Sequence, residues 1–171
     1  MAIDGRYVGR GESGPKGPCH PSILERLEPR VMLNGVTLIT HGHNSDSEGW
    51  VSDMADAIAD RVNGDVAGYT LLLHEGPGDK PNAYSLMPDG ITQTYDRVDS
   101  GEAIIKIDWS SMTDGLAEFD TSTLDVGYYV ADWLADRDFA EMPIHLIGHS
   151  RGASVNSAIA ERLAEYGIWV D

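Results

Sequence analysis

A serine flanked by two glycines is the residue of this chain best suited to nucleophilic chemistry. In Gly148-His149-Ser150-Arg151-Gly152 the serine follows the apolar run Pro143–Gly148 and precedes a segment with helical periodicity. A sharp strand-to-helix turn exposes a serine hydroxyl, and the free N–H groups of the first helical turn point towards it. The pattern predicts a nucleophile elbow with Ser150 as the nucleophile; the alternative is an ordinary glycine-rich turn in which the serine has no chemical role.

A second candidate segment, His41-Gly42-His43, directly follows the apolar run Val36–Thr40. In elbow chemistry one oxyanion donor is the N–H after the nucleophile, here that of Arg151, and the other comes from the loop after an adjacent strand. We expect the His43 N–H to be that second donor, with Gly42 allowing close approach of the backbone. The imidazoles of His41 and His43 are expected to fix this loop through hydrogen bonds rather than to act as the base.

The partners that would activate the serine are not found after it. In the expected order the acid and then the histidine follow the nucleophile. All six histidines precede Ser150, and the carboxylates after it are Glu161, Glu165 and Asp171. Asp171 is not the expected acid, because Ile168–Asp171 has the pattern of only the beginning of a strand. We therefore expect the acid and the histidine beyond residue 171, and we expect this stretch alone to be unstable and nearly inactive.

Strand-like and helix-like segments alternate from residue 36 onward, which predicts an α/β fold with a mostly parallel sheet and helices on both faces. We interpret it as a doubly wound sheet that is cut off after the helix following Ser150. The predicted strands are Val36–Thr40, Tyr69–His74, Ile91–Tyr95, Ala103–Asp108 and Pro143–Gly148, the second and third forming an antiparallel excursion around a loop at 75–90. The predicted helical faces are Val51, Met54, Ala55, Ile58 and Val62; Val126, Tyr129, Val130, Trp133 and Leu134; and Val155, Ile159, Leu163 and Tyr166.

Capping residues and glycines set the expected ends of these helices. Asp46 or Ser47 is expected to cap the first helix, and Asn63-Gly64 to end it. Gly167 is expected to stop the last one. Residues 1–35 are rich in glycine, proline and charge and are interpreted as a disordered leader, which leaves 36–171 as the folded part.

Composition restricts the partners. The formal net charge is −16, and residues 36–171 hold seven Lys/Arg against 24 Asp/Glu, so a nucleic-acid partner is not expected. No apolar run is long enough to predict a transmembrane helix. Cys19 is the single cysteine, and no zinc pattern is present. The acidic segment from Asn44 does not fit a calcium loop, because its twelfth position is Ala55. We predict no cofactor and no metal.

Three segments resemble the α/β-hydrolase family, and within it the lipase branch. They are "LITHGH…W", "IIKIDWSS" and "IHLIGHSRGAS", which lie in the family's order over residues 36–166. The resemblance implies that Val36–Thr40 is a central strand between Ala103–Asp108 and Ile144–Gly148, and that Ser150 is paired with oxyanion donors at His43 and Arg151. Arg151 replaces the leucine common in animal lipases, which leaves the substrate type open.

The N-terminal segment, residues 1–35, carries a second resemblance. "LERLEPRVMLNG" is similar to the LEPR-XLL N-terminal signature of large exported proteins of planctomycete-like bacteria, with Met32 where a leucine is usual. It implies an extracellular or cell-surface location. Taken together, the residues predict a serine hydrolase acting on small-molecule or lipid carboxyl esters, with His41, Gly42, Gly148, His149 and Gly152 as supporting residues. The alternative is a non-catalytic hydrolase-like binding module of a large surface protein.

Overall fold

The computed structural model describes residues 35–62, 65–76, 81–88, 101–112 and 122–171. The predicted leader, Cys19 and the predicted strand Ile91–Tyr95 lie outside these residues. The described strands are β1 (Gly35–Thr40), β2 (Asp65–Glu75), β3 (Pro81–Pro88), β4 (Gly101–Asp108) and β5 (Ile144–Gly148). The described α-helices are α1 (Trp50–Ala59), α2 (Thr123–Ala135) and α3 (Arg151–Glu165).

The five strands form one mixed, mostly parallel sheet in the order β3-β2-β4-β1-β5. Strands β2, β4, β1 and β5 run parallel, and β3 pairs antiparallel with β2. The predicted α/β class is confirmed, and so is the central place of β1 between β4 and β5. Val170 forms a single parallel bridge with Ile144, so the predicted start of a further strand is also present.

Two apolar layers cover the two faces of the sheet. On one face, fully buried side chains of β1, β4 and β5 pack against fully buried side chains of α2 and α3. The strands contribute Val36, Leu38, Ile105, Ile107 and Ile144, and the helices contribute Val126, Val130, Val155 and Ile159. On the other face, Ile39 and Ile104 pack against Val51, Ala55 and Ile58 of α1. Each large aliphatic side chain buried in this way contributes about 1.5–3 kcal/mol, so these layers hold the strand ends in register.

The antiparallel excursion differs from the prediction. Strand β3 occupies Pro81–Pro88, inside the segment predicted to be a loop, and β2 is longer than Tyr69–His74. The prolines led the prediction towards a turn, but they stand only at the two ends of β3. A proline lacks a backbone donor, and an edge strand tolerates it there.

The first helix also begins later than predicted and is not capped by Asp46 or Ser47. Gly49 precedes it with a φ of 57°, and no side chain caps it. The Ser47 hydroxyl instead donates to Asp108, 2.8 Å away. The helix ends at Ala59, and residues 63–64 lie outside the described part.

Two residues predicted on buried helical faces are exposed. Met54 is 38% exposed, because α1 covers only a narrow apolar strip of the sheet. Tyr166 is 46% exposed, because it follows the last turn of α3 and its hydroxyl donates to Asp132 at the surface. Gly167 has a φ of 75° and stops α3 as predicted. Within the described ranges, the helices are all too short or too polar to cross a bilayer.

Candidate active site

The register of the parallel strands brings three chemically interesting segments to one edge of the sheet. Thr40 pairs with Gly148 on one side and with Ile107 on the other, so β1, β5 and β4 end side by side. The segments that leave these ends are 41–43, 148–152 and 108–110. In open α/β sheets, ligands bind at this carboxyl edge, and we take it as the candidate site.

Ser150 stands at a strained strand-to-helix turn. Its φ of 54° and ψ of −124° lie in a region that non-glycine residues rarely adopt. Gly152 N donates to His149 O at 2.9 Å and Ala153 N to Ser150 O at 3.0 Å, which starts α3 directly after the serine. Ser150 is exposed, as an attacking hydroxyl requires.

The two glycines beside the serine permit this turn. A Cβ on Gly148 would lie 2.8 Å from the Gly152 carbonyl oxygen, and one on Gly152 would lie 2.5 Å from His41 O. Both neighbours are backbone atoms, so no side-chain rotation could relieve the overlap. Strand β5, the turn and the start of α3 therefore pack backbone against backbone.

The loop after β1 lies directly against the serine. A Cβ on Gly42 would lie 3.1 Å from Ser150 Cβ and 3.1 Å from His149 O. A glycine at this position therefore lets the backbone that leads into His43 approach Ser150. This proximity is what an oxyanion donor at His43 needs.

His41 is buried and occupied by backbone contacts. Its Nε2 accepts the Trp109 N–H at 3.1 Å, and its Nδ1 lies 2.7 Å from Gly42 O. Since Nε2 accepts, we assign the proton to Nδ1, which donates to that carbonyl. Both ring nitrogens are engaged in holding the loop, so His41 is not placed to act as a base.

Trp109 supports this loop from the neighbouring strand. Its indole is fully buried, donates from Nε1 to His41 O at 3.1 Å, and stacks on the His41 ring with centroids 5.6 Å apart. The Arg151 guanidinium carbon lies over the same indole, 5.6 Å from the ring centroid. Arg151, which follows Ser150, is thereby linked through Trp109 to the loop that carries His43.

Asp108 joins the loops after β1 and β4. Its carboxylate accepts from Ser47 Oγ at 2.8 Å, from Ser110 N at 3.0 Å and from Ser110 Oγ at 2.7 Å. Burial of this carboxyl would raise its pKa, but the interactions with His41, Ser110 and Ser47 lower the pKa well below the ordinary value. We attribute the lowering chiefly to the serine donors, because His41 Nε2 is 3.6 Å from the carboxylate and already accepts from Trp109.

A buried contact between β1 and α3, which the sequence analysis missed, holds the first turns of α3 against the end of β1. Thr40 Oγ1 donates to Asn156 Oδ1 at 2.7 Å, and the two residues are 0% and 8% exposed. The sequence feature that could have indicated this contact is the polar Asn156, which lies beside Val155 on the buried side of α3. Without a known register, however, its partner could not be identified.

His149 flanks the serine on the α1 side. Its ring packs edge-on against the half-buried Trp50, with centroids 5.9 Å apart. The residues on both chain sides of Ser150 thus contact a tryptophan, His149 contacting Trp50 and Arg151 contacting Trp109.

The structure brings all the predicted site residues to this one edge: His41, Gly42, His43, Gly148, His149, Ser150, Arg151 and Gly152. Two other histidines lie away from Ser150, although His74 is near the carboxyl end of its own strand. His145 pairs with Thr37 three residues before the end of β5, about 10 Å along the strand. His74 lies on β2, three strands and about 14 Å from β5.

Among known proteins, a solved structure shows a likeness to this chain. No family model matches the chain, and no curated protein sequence matches it significantly. Its fold is similar to the crystal structure of the product of the gene lin2722 from Listeria innocua, with a TM-score of 0.45 and 15% sequence identity. The match covers 80% of this chain and 48% of the other, so the chain spans about half the length of that protein.

Proposed function

We propose that this chain carries the nucleophile and the oxyanion site of a serine hydrolase of the lipase-like α/β-hydrolase branch, acting on carboxyl esters. The observation that carries the proposal is the backbone of Ser150, with a φ of 54° and a ψ of −124° at the junction of β5 and α3. A protein keeps such strain where the surrounding structure enforces it, and a nucleophile elbow is such a place.

The proposed reaction uses the residues of the edge as follows. The base takes the Ser150 hydroxyl proton as Oγ attacks the ester carbonyl, and the bond from the carbonyl carbon to the alcohol oxygen then breaks, so that the alcohol leaves with that proton. Water hydrolyses the resulting acyl-enzyme, which releases the carboxylic acid and restores the serine hydroxyl. The backbone N–H groups of His43 and Arg151 donate to the oxyanion, and the positive end of the α3 dipole adds to them. Gly42 and the His41–Trp109 contacts hold the first of these donors in place.

The base and the acid belong to the same proposal. His41 is occupied, and His74 and His145 lie away from Ser150. In the order typical of this hydrolase branch the acid and the histidine follow the nucleophile, whereas every histidine of this chain, His43 and His149 included, precedes Ser150. We therefore propose that the histidine and acid of the triad are supplied from beyond residue 171, and that the whole protein acts at the cell surface or outside the cell.

The experiment is covalent labelling of the full-length protein with a fluorinated organophosphonate, followed by peptide mass spectrometry. The adduct is expected on Ser150 and is expected to be absent in Ser150→Ala. Ser154→Ala is the matched control, because Ser154 is exposed on the same helix outside the turn. Ester hydrolysis without an adduct on Ser150 would contradict the proposal. A folded protein that neither labels nor hydrolyses esters would favour the non-catalytic binding module instead.

A further inference from the structure

The loop that follows β1, His41–Ser47, is attached at both ends to two consecutive residues at the end of β4. At its start, Trp109 donates from its backbone N–H to His41 Nε2 and from its indole Nε1 to His41 O, both at 3.1 Å. At its end, Ser47 Oγ donates to Asp108 Oδ2 at 2.8 Å. Since Asp108 and Trp109 are adjacent in the chain, the loop begins and ends against the same point of the sheet.

The part of this loop between the two attachments is the part that lies against Ser150. A Cβ on Gly42 would lie 3.1 Å from Ser150 Cβ, so the Gly42 backbone packs on the proposed nucleophile. His43 and Asn44 then form a turn, in which Asn44 has a φ of 53° that non-glycine residues rarely adopt. Such a backbone persists only where surrounding contacts hold it. Beyond this turn, Ser47 ties the loop back to the end of β4.

Ser47 is itself held in place, as an anchor must be. It is only 6% exposed, and its carbonyl accepts from Ser52 Oγ at 3.0 Å, which in turn accepts from Lys106 Nζ of β4 at 3.0 Å. Asp108 Oδ1 is held separately by Ser110, whose N–H and Oγ donate to it at 3.0 Å and 2.7 Å. Loss of the Ser47 hydroxyl would therefore leave the carboxylate hydrogen-bonded and would release the far end of the loop from Asp108.

We propose that Ser47 and Asp108 are positioning residues whose hydrogen bond fixes the His41–Ser47 loop against Ser150. This inference rests on the proposed function, because the oxyanion donor that the loop carries is the His43 N–H of that proposal. The oxyanion develops in the transition state and is absent from the bound ester. A displaced donor therefore lowers kcat without weakening the binding of the ester.

The test measures kcat and KM of the full-length protein on p-nitrophenyl acetate, together with the Tm of each variant. In Ser47→Ala, kcat is expected to fall about 10- to 10²-fold and KM to stay within about twofold, because a misplacement of about 1 Å costs about 10²-fold in rate. Ser47→Thr keeps the hydroxyl and is expected to retain most of the wild-type kcat. Ser47→Cys keeps a side chain of similar shape with a weak donor, so it gives the same test with less loss of packing, and its kcat should lie between those of the alanine and threonine variants.

Thr37→Val is the matched control for a structural effect. Thr37 Oγ1 donates to the buried carboxylate of Glu102, so it also joins β1 to β4 through a hydroxyl and a carboxylate. Thr37 lies three residues before the end of β1, about 10 Å along the strand from the candidate site. Thr37→Val is expected to lower Tm and to keep the wild-type kcat.

Three results would contradict the inference, and they separate it from the proposed function. A wild-type kcat in both Ser47→Ala and Ser47→Cys, with Ser150 still labelled by the phosphonate, would overturn this inference alone. An equal fall of kcat in Ser47→Ala and Thr37→Val would do the same, because it would reflect a general loss of stability. Absence of both labelling and hydrolysis in the wild type would overturn the proposed function and this inference with it.

Discussion

Replacing Gly152 by alanine tests the packing of the elbow most sharply. The new Cβ would lie 2.5 Å from His41 O and closer still to Thr40 O, whereas real Cβ atoms essentially never approach within 3.0 Å. Both neighbours are backbone carbonyls at the end of β1. The first turn of α3 must therefore move by about 0.5–1 Å, or β1 must yield by the same amount.

The size of the effect follows from this displacement. Overpacking of this kind costs about 1–3 kcal/mol of unfolding free energy. For a domain of this size each kcal/mol lowers Tm by about 2–4 °C, so Gly152→Ala is expected to lower Tm by about 2–12 °C. A shift of about 1 Å between nucleophile and oxyanion donors reduces the rate by about 10²-fold. The rate of phosphonate labelling at Ser150 is expected to fall accordingly.

The assay combines thermal unfolding followed by circular dichroism with the labelling rate. Ser154→Ala is the control: it is also a small change in the first two turns of α3, at an exposed position, and should leave both quantities unchanged. A Gly152→Ala protein with the Tm and the labelling rate of the wild type would refute the backbone-to-backbone packing described here.

Four further changes have expected outcomes. His43→Ala should lower kcat less than tenfold, because its backbone N–H is kept, whereas loss of an oxyanion donor costs about 10²–10³-fold. Asn156→Ala should lower the free energy of unfolding by about 1–3 kcal/mol in urea titrations, because the Thr40 hydroxyl loses its buried partner. Asp108→Asn should destabilise the protein at neutral pH, and its deficit relative to wild type should shrink as pH falls below about 4, since a carboxylate with a lowered pKa stabilises the fold only while it is ionised. Glu102→Gln should show the opposite pH dependence, because burial raises the pKa of Glu102 and outweighs the lowering by Thr37 and His145. The free energy of unfolding of the wild type, relative to that of the variant, should therefore decline as pH rises above about 4.5.

For each of these four predictions, a specific result would contradict the reasoning. A loss of about 10⁴-fold in His43→Ala would identify its imidazole as catalytic. A neutral effect of Asn156→Ala in a protein with intact Thr40 would remove the proposed support of the elbow. A pH-independent deficit in Asp108→Asn would show that folding does not lower the pKa of this carboxyl. A loss of stability in Glu102→Gln that is the same at pH 4 and pH 8 would contradict the raised pKa.

The features that the sequence predicts correctly are local. The strand-to-helix turn at Ser150, the stop at Gly167 and most of the buried positions of α2 and α3 follow from residues within a turn or two of one another. Glycines and alternating apolar positions act over that same short range, so they predict the strands β1, β4 and β5 to within one or two residues.

The features that it does not predict depend on register. The contact of Thr40 with Asn156 joins residues 116 positions apart, and that of Ser47 with Asp108 joins residues 61 apart. Ser47 was expected to cap a helix, and only the adjacency of β1 and β4 shows that a carboxylate takes its hydroxyl instead. Strand β3 was predicted as a loop because of its terminal prolines. The residues near a proline do not show whether a strand will lie at the edge of a sheet, where prolines are tolerated.

The most direct measurement for the central claim is a crystal structure of the full-length protein after reaction with the phosphonate. Our account predicts a covalent bond from Ser150 Oγ to phosphorus. It also predicts a phosphonyl oxygen about 2.7–3.1 Å from the backbone nitrogens of both His43 and Arg151. An adduct on another residue, or an adduct on Ser150 whose oxygen points away from these two N–H groups, would contradict it.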